Sequence, residues 1–422
     1  MSPGPIDGRR VVITGMGGLT PLGNSVAEFW QGCLEGRSGI DYLTLIEPEV
    51  YMNYPAHISG EVRGFQPTDY MDRRDARRMA RFSQLAVAAT RQAIEDAALD
   101  LNGVDRERVG VLIGNGIGGM PNTDAAMRTI VSRGGMRLDP LYLPKMLPNM
   151  AAAQVAMIFG AKGFSNTTIT ACAASTQALG EARDVIRLGR ADVMLAGGTE
   201  AGISELGLSG FAVMRALSTR NDAPQKASRP FDAGRDGFVA AEGSAILVLE
   251  SLEHAHARGA RVLAELAGYA ACNDGYHLVA PPPDGEGAAR TMRWALEDAA
   301  VQPEEVDYIS AHGTSTPLND VSETLAIKAV FGEHAYRVPI SSTKSMIGHA
   351  MGASGALESL ACVMTLQTGI IHPTINQEQP DPQCDLDYVP NTARRADVRT
   401  ILKNSFGFGG QNACLVFKRF EE

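Results

Sequence analysis

A cysteine and two histidines stand among small residues at the ends of predicted strands, a setting suited to covalent catalysis. Cys172 lies in TACAAST, residues 170–176, between a predicted strand and a predicted helix. A helix N-terminus favours the thiolate, the form of cysteine that attacks carbonyl carbons. His312 and His349 each follow an apolar, strand-like run. Singly, such residues are more often core or surface side chains. Together they predict a nucleophile with two imidazole partners.

The chain lacks the sequence motifs of several other enzyme classes. GNGIGG, residues 114–119, matches the dinucleotide pattern GxGxxG. The dinucleotide pattern requires a helix directly after the glycines and then a second strand that ends in an acidic residue. A polar stretch with Pro121 follows here instead, so we interpret the segment as a structural turn beside a pocket. The chain has no GxxxxGK[ST] phosphate loop and no Cys-His-Asn protease signature around Cys172. Acyl transfer through a thioester, with neutral imidazoles stabilising an enolate or an oxyanion, is the economical interpretation.

Composition narrows the possible partners. The 422 residues include 38 Lys and Arg against 48 Asp and Glu, a net charge of −10. This charge opposes general binding to nucleic acid or to anionic membranes. The six cysteines are scattered singly, which predicts neither a disulfide framework nor a metal site. No cofactor is expected. With no signal peptide and no apolar run near the ~18 residues of a membrane span, we expect a cytoplasmic protein.

The elements that must position these residues alternate between short β-branched runs and helical patterns, as in α/β proteins with parallel strands. Strands are predicted at 11–14, 109–113, 167–170, 193–196, 245–249, 308–310 and 413–417. Helices are predicted at 77–98, 176–188, 287–300, 320–330 and 353–366. Segments 191–200 and 306–315 look alike. Their likeness suggests an old duplication with halves at 1–260 and 261–422.

The motifs, taken in order, resemble those of the β-ketoacyl-acyl carrier protein synthases over residues 9–419. They are VVITGMG at 11–17, TACAAS at 170–175, SRPFD at 228–232, DGFV at 236–239, AHGT at 311–314, KSMIGH at 344–349 and NSFGFGG at 404–410. The chain looks most like the type II elongating synthase of fatty acid synthesis. The resemblance implies a thiolase fold, two similar βαβαβαββ halves forming a five-layered αβαβα sandwich, usually as a homodimer.

The same resemblance implies a mechanism. Cys172 would take the acyl chain from its carrier protein, and malonyl-acyl carrier protein would then lose carbon dioxide. The resulting carbanion would attack the acyl-Cys172 thioester to give 3-oxoacyl-acyl carrier protein. His312 and His349 would hydrogen-bond the malonyl thioester oxygen as the enolate forms, with Lys344 acting electrostatically. The N–H groups of Cys172 and Phe408 would form the oxyanion hole, and Phe408 would also serve as a gate.

Further residues follow from the resemblance. Those implied to bind substrate are Thr314, Thr316, Ile117, Phe211 and Phe406, of which the two threonines would contact the pantetheine arm. Glu358 would pair with Lys344, and Asp320 would support the site. Carrier protein, which is acidic, would dock on Arg74, Arg77, Arg78 and Arg215. Two positions depart from many relatives: HLVA at 277–280 lacks a hydroxyl residue, and Gln411 replaces threonine.

Three alternatives stay open at this point. A polyketide ketosynthase would share the three catalytic residues. A thiolase acting on coenzyme A thioesters would need a second cysteine in a Cys-x-Gly motif, whereas Cys414 begins the apolar run CLVF. A noncatalytic chain-length partner would lack a nucleophile, yet Cys172 is present. The preferred acyl length, and whether a cation lies near Glu358 and Ser405, are also open.

Overall fold

The computed structural model describes residues 8–421. The strands are β1 (Val11–Leu19), β2 (Ile40–Tyr42), β3 (Ile58–Gly60), β4 (Val109–Gly114), β5 (Ser165–Thr168), β6 (Val193–Glu200), β7 (Gly243–Ser251), β8 (Ala264–Asn273), β9 (Tyr308–Ser310), β10 (Ile340–Ser341), β11 (Ile370–Ile371), β12 (Arg394–Arg395), β13 (Thr400–Gly407) and β14 (Gln411–Lys418). The helices are α1 (Val26–Leu34), α2 (Pro48–Tyr51), α3 (Arg73–Arg78), α4 (Arg81–Asp96), α5 (Met120–Arg133), α6 (Tyr142–Met146), α7 (Met150–Phe159), α8 (Ala174–Arg187), α9 (Glu205–Val213), α10 (Leu252–Ala257), α11 (Glu286–Asp298), α12 (Pro317–Phe331), α13 (Lys344–Ile347) and α14 (Ser354–Thr368).

Ten strands form one mixed sheet, and the protein is a mixed α/β fold as expected. Their order is β10-β9-β13-β14-β8-β1-β7-β6-β4-β5. Reading outward from the central β8–β1 pair, both sides have the same sequence of partners: an antiparallel pair, a second antiparallel pair and then two parallel pairs. The short antiparallel contact of Val12 and Ile13 with Glu265 and Ala264 joins the two sides.

The two segments that look alike in sequence are not equivalent in this topology. Segment 191–200 contains β6, and segment 306–315 contains β9. On its own side of the sheet, β6 is third from the centre whereas β9 is fourth. Their likeness therefore reflects a shared strand-to-turn composition rather than matching positions.

Helices cover the sheet, and two of them contact strands on both of its sides. Helix α4 packs on β1 and β7, and α11 packs on β8 and β14. Helices α8 and α14 contact each other and strands from both sides. Each of these two helices follows a 3₁₀ turn, at Ala171–Ala173 and Met351–Ala353. The first residues of these turns, Ala171 and Met351, have φ of 49° and 41°, a left-handed conformation that is uncommon outside glycine.

Two local predictions were wrong. The helix expected at 77–98 is two helices, α3 and α4, because the backbone is extended at Met79 and Ala80, whose side chains are buried. The sequence predicted no helix after GNGIGG, but α5 begins there, at Met120. The turn is nonetheless unsuited to phosphate, because the carboxylate of Glu200 accepts hydrogen bonds from the N–H groups of Gly116 and Gly352 at 2.8 and 3.1 Å. Within residues 8–421, no helix is long and apolar enough to cross a membrane.

Candidate active site

A cleft of about 570 Å³ gathers the predicted residues from both sides of the sheet. Cys172 reaches it from the turn before α8, and Phe406 and Phe408 reach it from the end of β13. His312 and His349 also line it. The other predicted residues in its wall are Ile117, Phe211, Arg215, Thr314 and Thr316. The structure therefore brings the proposed nucleophile and both imidazoles to one cavity.

Cys172 lies in the turn directly before α8, as predicted, and is only 7% exposed. The loop after β13 packs tightly against it: a Cβ on Gly407 would lie 2.9 Å from the carbonyl oxygen of Thr170 and 3.1 Å from the nitrogen of Cys172. Glycine at 407 therefore allows the Phe408 backbone N–H to face the Cys172 sulfur.

The prediction that the helix N-terminus favours the thiolate form of Cys172 is wrong. Burial raises the pKa of Cys172 to about 11, although the Lys344 charge and the Phe408 N–H both act to lower it. Sequence reasoning weighed only the local helix N-terminus, whereas the apolar neighbours come from distant parts of the chain. The resting thiol is therefore protonated at neutral pH.

His312 and His349 lie with their ring centres 5.6 Å apart and their planes nearly perpendicular, at 85°. His312 follows β9, as predicted. His349 does not follow a strand, because the short helix α13 comes between β10 and this histidine. Burial holds the pKa of both histidines well below 6.5, and the charge of Lys344 adds to this effect. Both rings are therefore neutral at physiological pH.

The neighbours of His312 determine which of its nitrogens carries hydrogen. Its backbone N–H donates to Glu323 at 2.8 Å. The Lys344 Nζ lies 3.3 Å from His312 Nδ1 and donates to the His312 carbonyl at 2.7 Å. An ammonium can only donate. Nδ1 is therefore the acceptor, which leaves Nε2–H as the donor of this ring. For His349, Nδ1 lies 2.8 Å from the Ser354 hydroxyl at the start of α14.

Lys344 and its predicted partner Glu358 form a buried ion pair. A second buried lysine, Lys403, pairs with the other carboxylate oxygen of Glu358 at 2.9 Å. Burial lowers the pKa of Lys403, and the charge of Glu358 opposes that change. One carboxylate thus lies between two lysines behind the histidines.

The predicted threonines lie in the loop between β9 and α12, and Asp320 lies in the first turn of α12. The hydroxyls of Thr314 and Thr316 lie 2.8 Å apart. Asp320 accepts hydrogen bonds from the backbone N–H groups of Thr314 and Phe231 at 3.1 and 2.8 Å. Asp320 therefore fixes the backbone that presents Thr314 to the cleft.

The apolar end of the cleft contains Ile117 and Phe211. The ring of Phe211 meets that of Phe238 edge to face, with centres 5.2 Å apart. Ile117 packs against Gly202, where an added Cβ would lie 2.2 Å from Ile117 Cδ1. Phe406 lies on the other side, with its ring centre 5.7 Å from that of His312. This end of the cleft can hold an apolar chain.

The predicted docking arginines fall into two groups. Arg215 is exposed and lines the cleft. Arg74, Arg77 and Arg78 are exposed on α3, which contributes no residue to the cleft lining among residues 8–421. Among residues 8–421, Arg215 therefore lies in the wall of the cleft, and the α3 arginines lie outside that wall.

Three buried charged residues near the site were missed by sequence reasoning. Glu323 holds the backbone of His312 and Gly313 through both carboxylate oxygens, each at 2.8 Å. Lys403 and Glu200 lie behind the cleft. Lys403 could have been found as a charged residue within the largely apolar segment ILKN at 401–404. Glu323 could have been found as an acidic residue one helical turn after Asp320.

Comparison with known proteins identifies the family. The N-terminal domain of β-ketoacyl synthase matches residues 8–255, and its C-terminal domain matches residues 263–378. A 3-oxoacyl-[acyl-carrier-protein] synthase 2 from Synechocystis sp. is 50% identical over 416 residues, which cover 99% of each chain.

Two solved structures are also similar over 98% of this chain and the whole of theirs. One is a ketosynthase of a type II polyketide synthase in complex with its acyl carrier protein, with 39% identity and a TM-score of 0.90. The other is a β-ketoacyl synthase from Burkholderia phymatum STM815, with 38% identity and a TM-score of 0.91. These matches confirm the resemblance and the expected enzymatic activity, the condensation that forms 3-oxoacyl-acyl carrier protein in fatty acid elongation. The chain belongs to the β-ketoacyl synthase family.

Proposed function

We propose that the cleft performs this condensation through an acyl group carried on Cys172. The observation that carries the proposal is the arrangement of the Cys172 sulfur, the Phe408 N–H and two neutral imidazoles in one cavity. In the first half-reaction, the sulfur attacks the acyl thioester of a carrier protein. The N–H groups of Cys172 and Phe408 stabilise the tetrahedral oxyanion. The pantetheine thiol then leaves with the proton that the cysteine loses.

In the second half-reaction, malonyl-acyl carrier protein binds and its terminal C–C bond breaks. Carbon dioxide leaves, and the electron pair passes to the thioester carbonyl as an enolate. His312 and His349 donate hydrogen bonds to that oxygen, and donors already in place stabilise charge as it develops. The enolate carbon attacks the acyl-Cys172 carbonyl, and the Cys172 thiolate is expelled as 3-oxoacyl-acyl carrier protein forms.

The remaining cleft residues position the substrates. Thr314 and Thr316 hydrogen-bond the pantetheine arm, which replaces the hydrogen bond between their hydroxyls. The acyl chain extends past Phe211 to Ile117, and Phe406 lines the space beside His312. Phe408 gates the entrance, with glycine neighbours that permit backbone movement.

Acyl carrier protein is the proposed partner for both substrates. Exposed arginines on α3 and Arg215 would attract its acidic surface and speed encounter. The similar ketosynthase that was solved with its own acyl carrier protein supports this interaction. The α3 arginines lie outside the cleft wall, so we assign them to steering and Arg215 to contact at the cleft mouth.

We also propose that the chain forms a homodimer through the β5 edge of the sheet. Strand β5 is outermost, and an uncovered strand edge invites pairing. Exposed apolar side chains flank it: Met157 on α7, and Phe164 and Ile169 on either side of the strand. A second copy would cover this surface.

The finer fold and domain assignments are proposals too. The repeated strand order and the central α8–α14 pair support two βαβαβαββ halves in a five-layered sandwich. The gap between the two family matches, at residues 256–262, supports halves at 1–260 and 261–422. The six cysteines are unpaired, which is consistent with the reducing cytoplasm.

A polyketide ketosynthase is the second candidate, since one similar structure has that role. The curated fatty acid relative is more similar, at 50% identity against 39%. The apolar cleft end formed by Ile117 and Phe211 also suits a saturated chain better than a polyketide with many carbonyl groups.

The experiment that tests the proposed function separates its two half-reactions. Cys172→Ala should abolish condensation of acyl and malonyl carrier proteins but keep measurable release of carbon dioxide from malonyl carrier protein. Intact mass must confirm the substitution. Full condensation by Cys172→Ala would overturn the assignment of the nucleophile.

A further inference from the structure

Lys403 is a fully buried lysine that the proposed reaction does not use. It lies on β13 with 0% exposure and is not part of the cleft wall described for residues 8–421. Its Nζ donates to the hydroxyls of Thr176 on α8 and Ser405 on β13. It also pairs with Glu358 Oε2 on α14 at 2.9 Å. Three elements that converge behind the active site thus meet at one amine.

The surroundings of this amine indicate an ammonium ion. An ammonium group has three N–H donors and no acceptor, and Lys403 has three oxygen neighbours, one of them a carboxylate oxygen. Burial lowers the pKa of Lys403, and Glu358 opposes that effect. A buried lysine is tolerated when it is paired and hydrogen-bonded in this way.

The shared carboxylate links Lys403 to the catalytic imidazole. Glu358 Oε2 faces Lys403, and Oε1 accepts from Lys344. Lys344 in turn donates to the carbonyl of His312 and faces its Nδ1. The side chains therefore form a chain in which each member limits the orientation of the next.

We propose that Lys403 is a positioning residue for decarboxylation: by holding Oε2 of Glu358 it directs Oε1 to Lys344, and Lys344 then keeps the Nε2–H of His312 available to the enolate. This inference rests on the proposed role of His312. It goes further in placing the origin of that orientation on β13, from which it reaches the imidazole through Glu358 on α14 and Lys344 on α13.

Charge gives the proposal a measurable consequence. The charged and titratable groups around His312 are Lys344 on α13, Glu358 on α14, Lys403 on β13, Glu323 on α12, and the side chains of His349 and Cys172. The positive charges of Lys344 and Lys403 both lower the pKa of His312 and His349, because a nearby positive charge disfavours protonated histidine. Removing Lys403 should raise the pKa of His312 and His349.

The test compares the two half-reactions in Lys403→Met, which keeps an unbranched side chain without the charge. Decarboxylation of malonyl carrier protein should fall roughly 10–100-fold, by analogy with the loss of an outer-shell partner that orients a metal-bound histidine. Its acid limb should move to higher pH. Acylation of Cys172 by hexanoyl carrier protein should change much less. Equal losses in both half-reactions, with an unmoved acid limb, would show a merely structural role and overturn the proposal.

Two further variants control for charge and folding. Lys403→Arg keeps the positive charge, so its acid limb should stay at the wild-type pH even if its rate falls. Lys418→Met removes a lysine from the neighbouring strand β14, where Nζ donates to the Ala299 carbonyl at 3.2 Å. It should leave both half-reactions unchanged.

A measurement on the unmodified enzyme keeps the proposal testable if Lys403→Met does not fold. Nitrogen chemical shifts of protein labelled in histidine and lysine should show His312 with hydrogen on Nε2 and Lys403 as an ammonium at pH 7. A neutral Lys403, or hydrogen on His312 Nδ1, would overturn it. An incorrect assignment of Cys172 as the nucleophile would be detected separately, because Cys172→Ala would then still catalyse condensation.

Discussion

Gly202 controls the space at the apolar end of the cleft, and a single methyl group there should shorten the preferred acyl chain. A Cβ added at Gly202 would lie 2.2 Å from Ile117 Cδ1 and 3.2 Å from Ile117 Cγ1. Carbon atoms pack at about 3.5–4.0 Å, so Cδ1 must move by roughly 1 Å or more. Because Cδ1 ends a rotatable side chain, we expect it to turn toward the cleft rather than displace backbone.

Overpacking of this kind costs about 1–3 kcal/mol. If that cost falls on the transition state for long chains, acylation slows by roughly one to two decades. The assay is acylation of Cys172 by tetradecanoyl and hexanoyl carrier protein, followed by quenching and intact mass measurement. Gly202→Ala should slow only the longer donor. Ile117→Phe should act in the same direction, because it adds bulk at the same place.

Gly210→Ala provides a matched control on the nearby helix α9, since no atom of residues 8–421 beyond its own helix and chain neighbours lies within 4 Å of its added Cβ. It should leave both donors unaffected. A uniform loss for both donors in Gly202→Ala, or no loss for either, would refute the placement of Ile117 at the end of the acyl chain.

Three other predictions address the imidazoles and the docking surface. His312→Ala and His349→Ala should each slow carbon dioxide release from malonyl carrier protein by about 10²-fold; unchanged release would contradict their role as enolate donors. Since the pKa of both histidines is lowered well below 6.5, the neutral donors persist as pH falls through 6.5, and the acid limb of wild-type decarboxylation should lie below that value; a limb at or above 6.5 would contradict neutral burial. Replacing Arg77 and Arg78 by Glu should raise KM for acyl carrier protein and weaken its salt dependence, with little effect on acyl-pantetheine; equal loss with both substrates would make the patch structural.

Local sequence patterns predicted the parts of the fold and site that depend on near neighbours. The β-branched run before Cys172 and the small residues after it placed the cysteine in the turn before α8. His312 was predicted correctly at the end of a buried strand. Family motifs then added Lys344, Glu358 and Phe408, whose positions along the chain carry no such signal.

Features that depend on distant contacts could not be predicted in this way. Lys403 and Thr176 are 227 residues apart, and a lone lysine in a strand does not indicate its partner. The pKa of Cys172 is raised by burial, which the helix argument could not include. The break at Met79 between α3 and α4 has no glycine or proline to mark it; burial of Met79 and Ala80 accompanies it.

The paired turns before α8 and α14 differ in whether their second residue can carry a nucleophile. Cys172 is the second residue of its turn, and Gly352 is the second residue of the other. A Cβ on Gly352 would lie 2.3 Å from the nitrogen of Gly116 and 2.6 Å from the carbonyl carbon of Asn115. The position matching the nucleophile is thus closed to any side chain. A second nucleophile could not be engineered by copying the first, because the backbone that supports one turn occupies the space that the other would need.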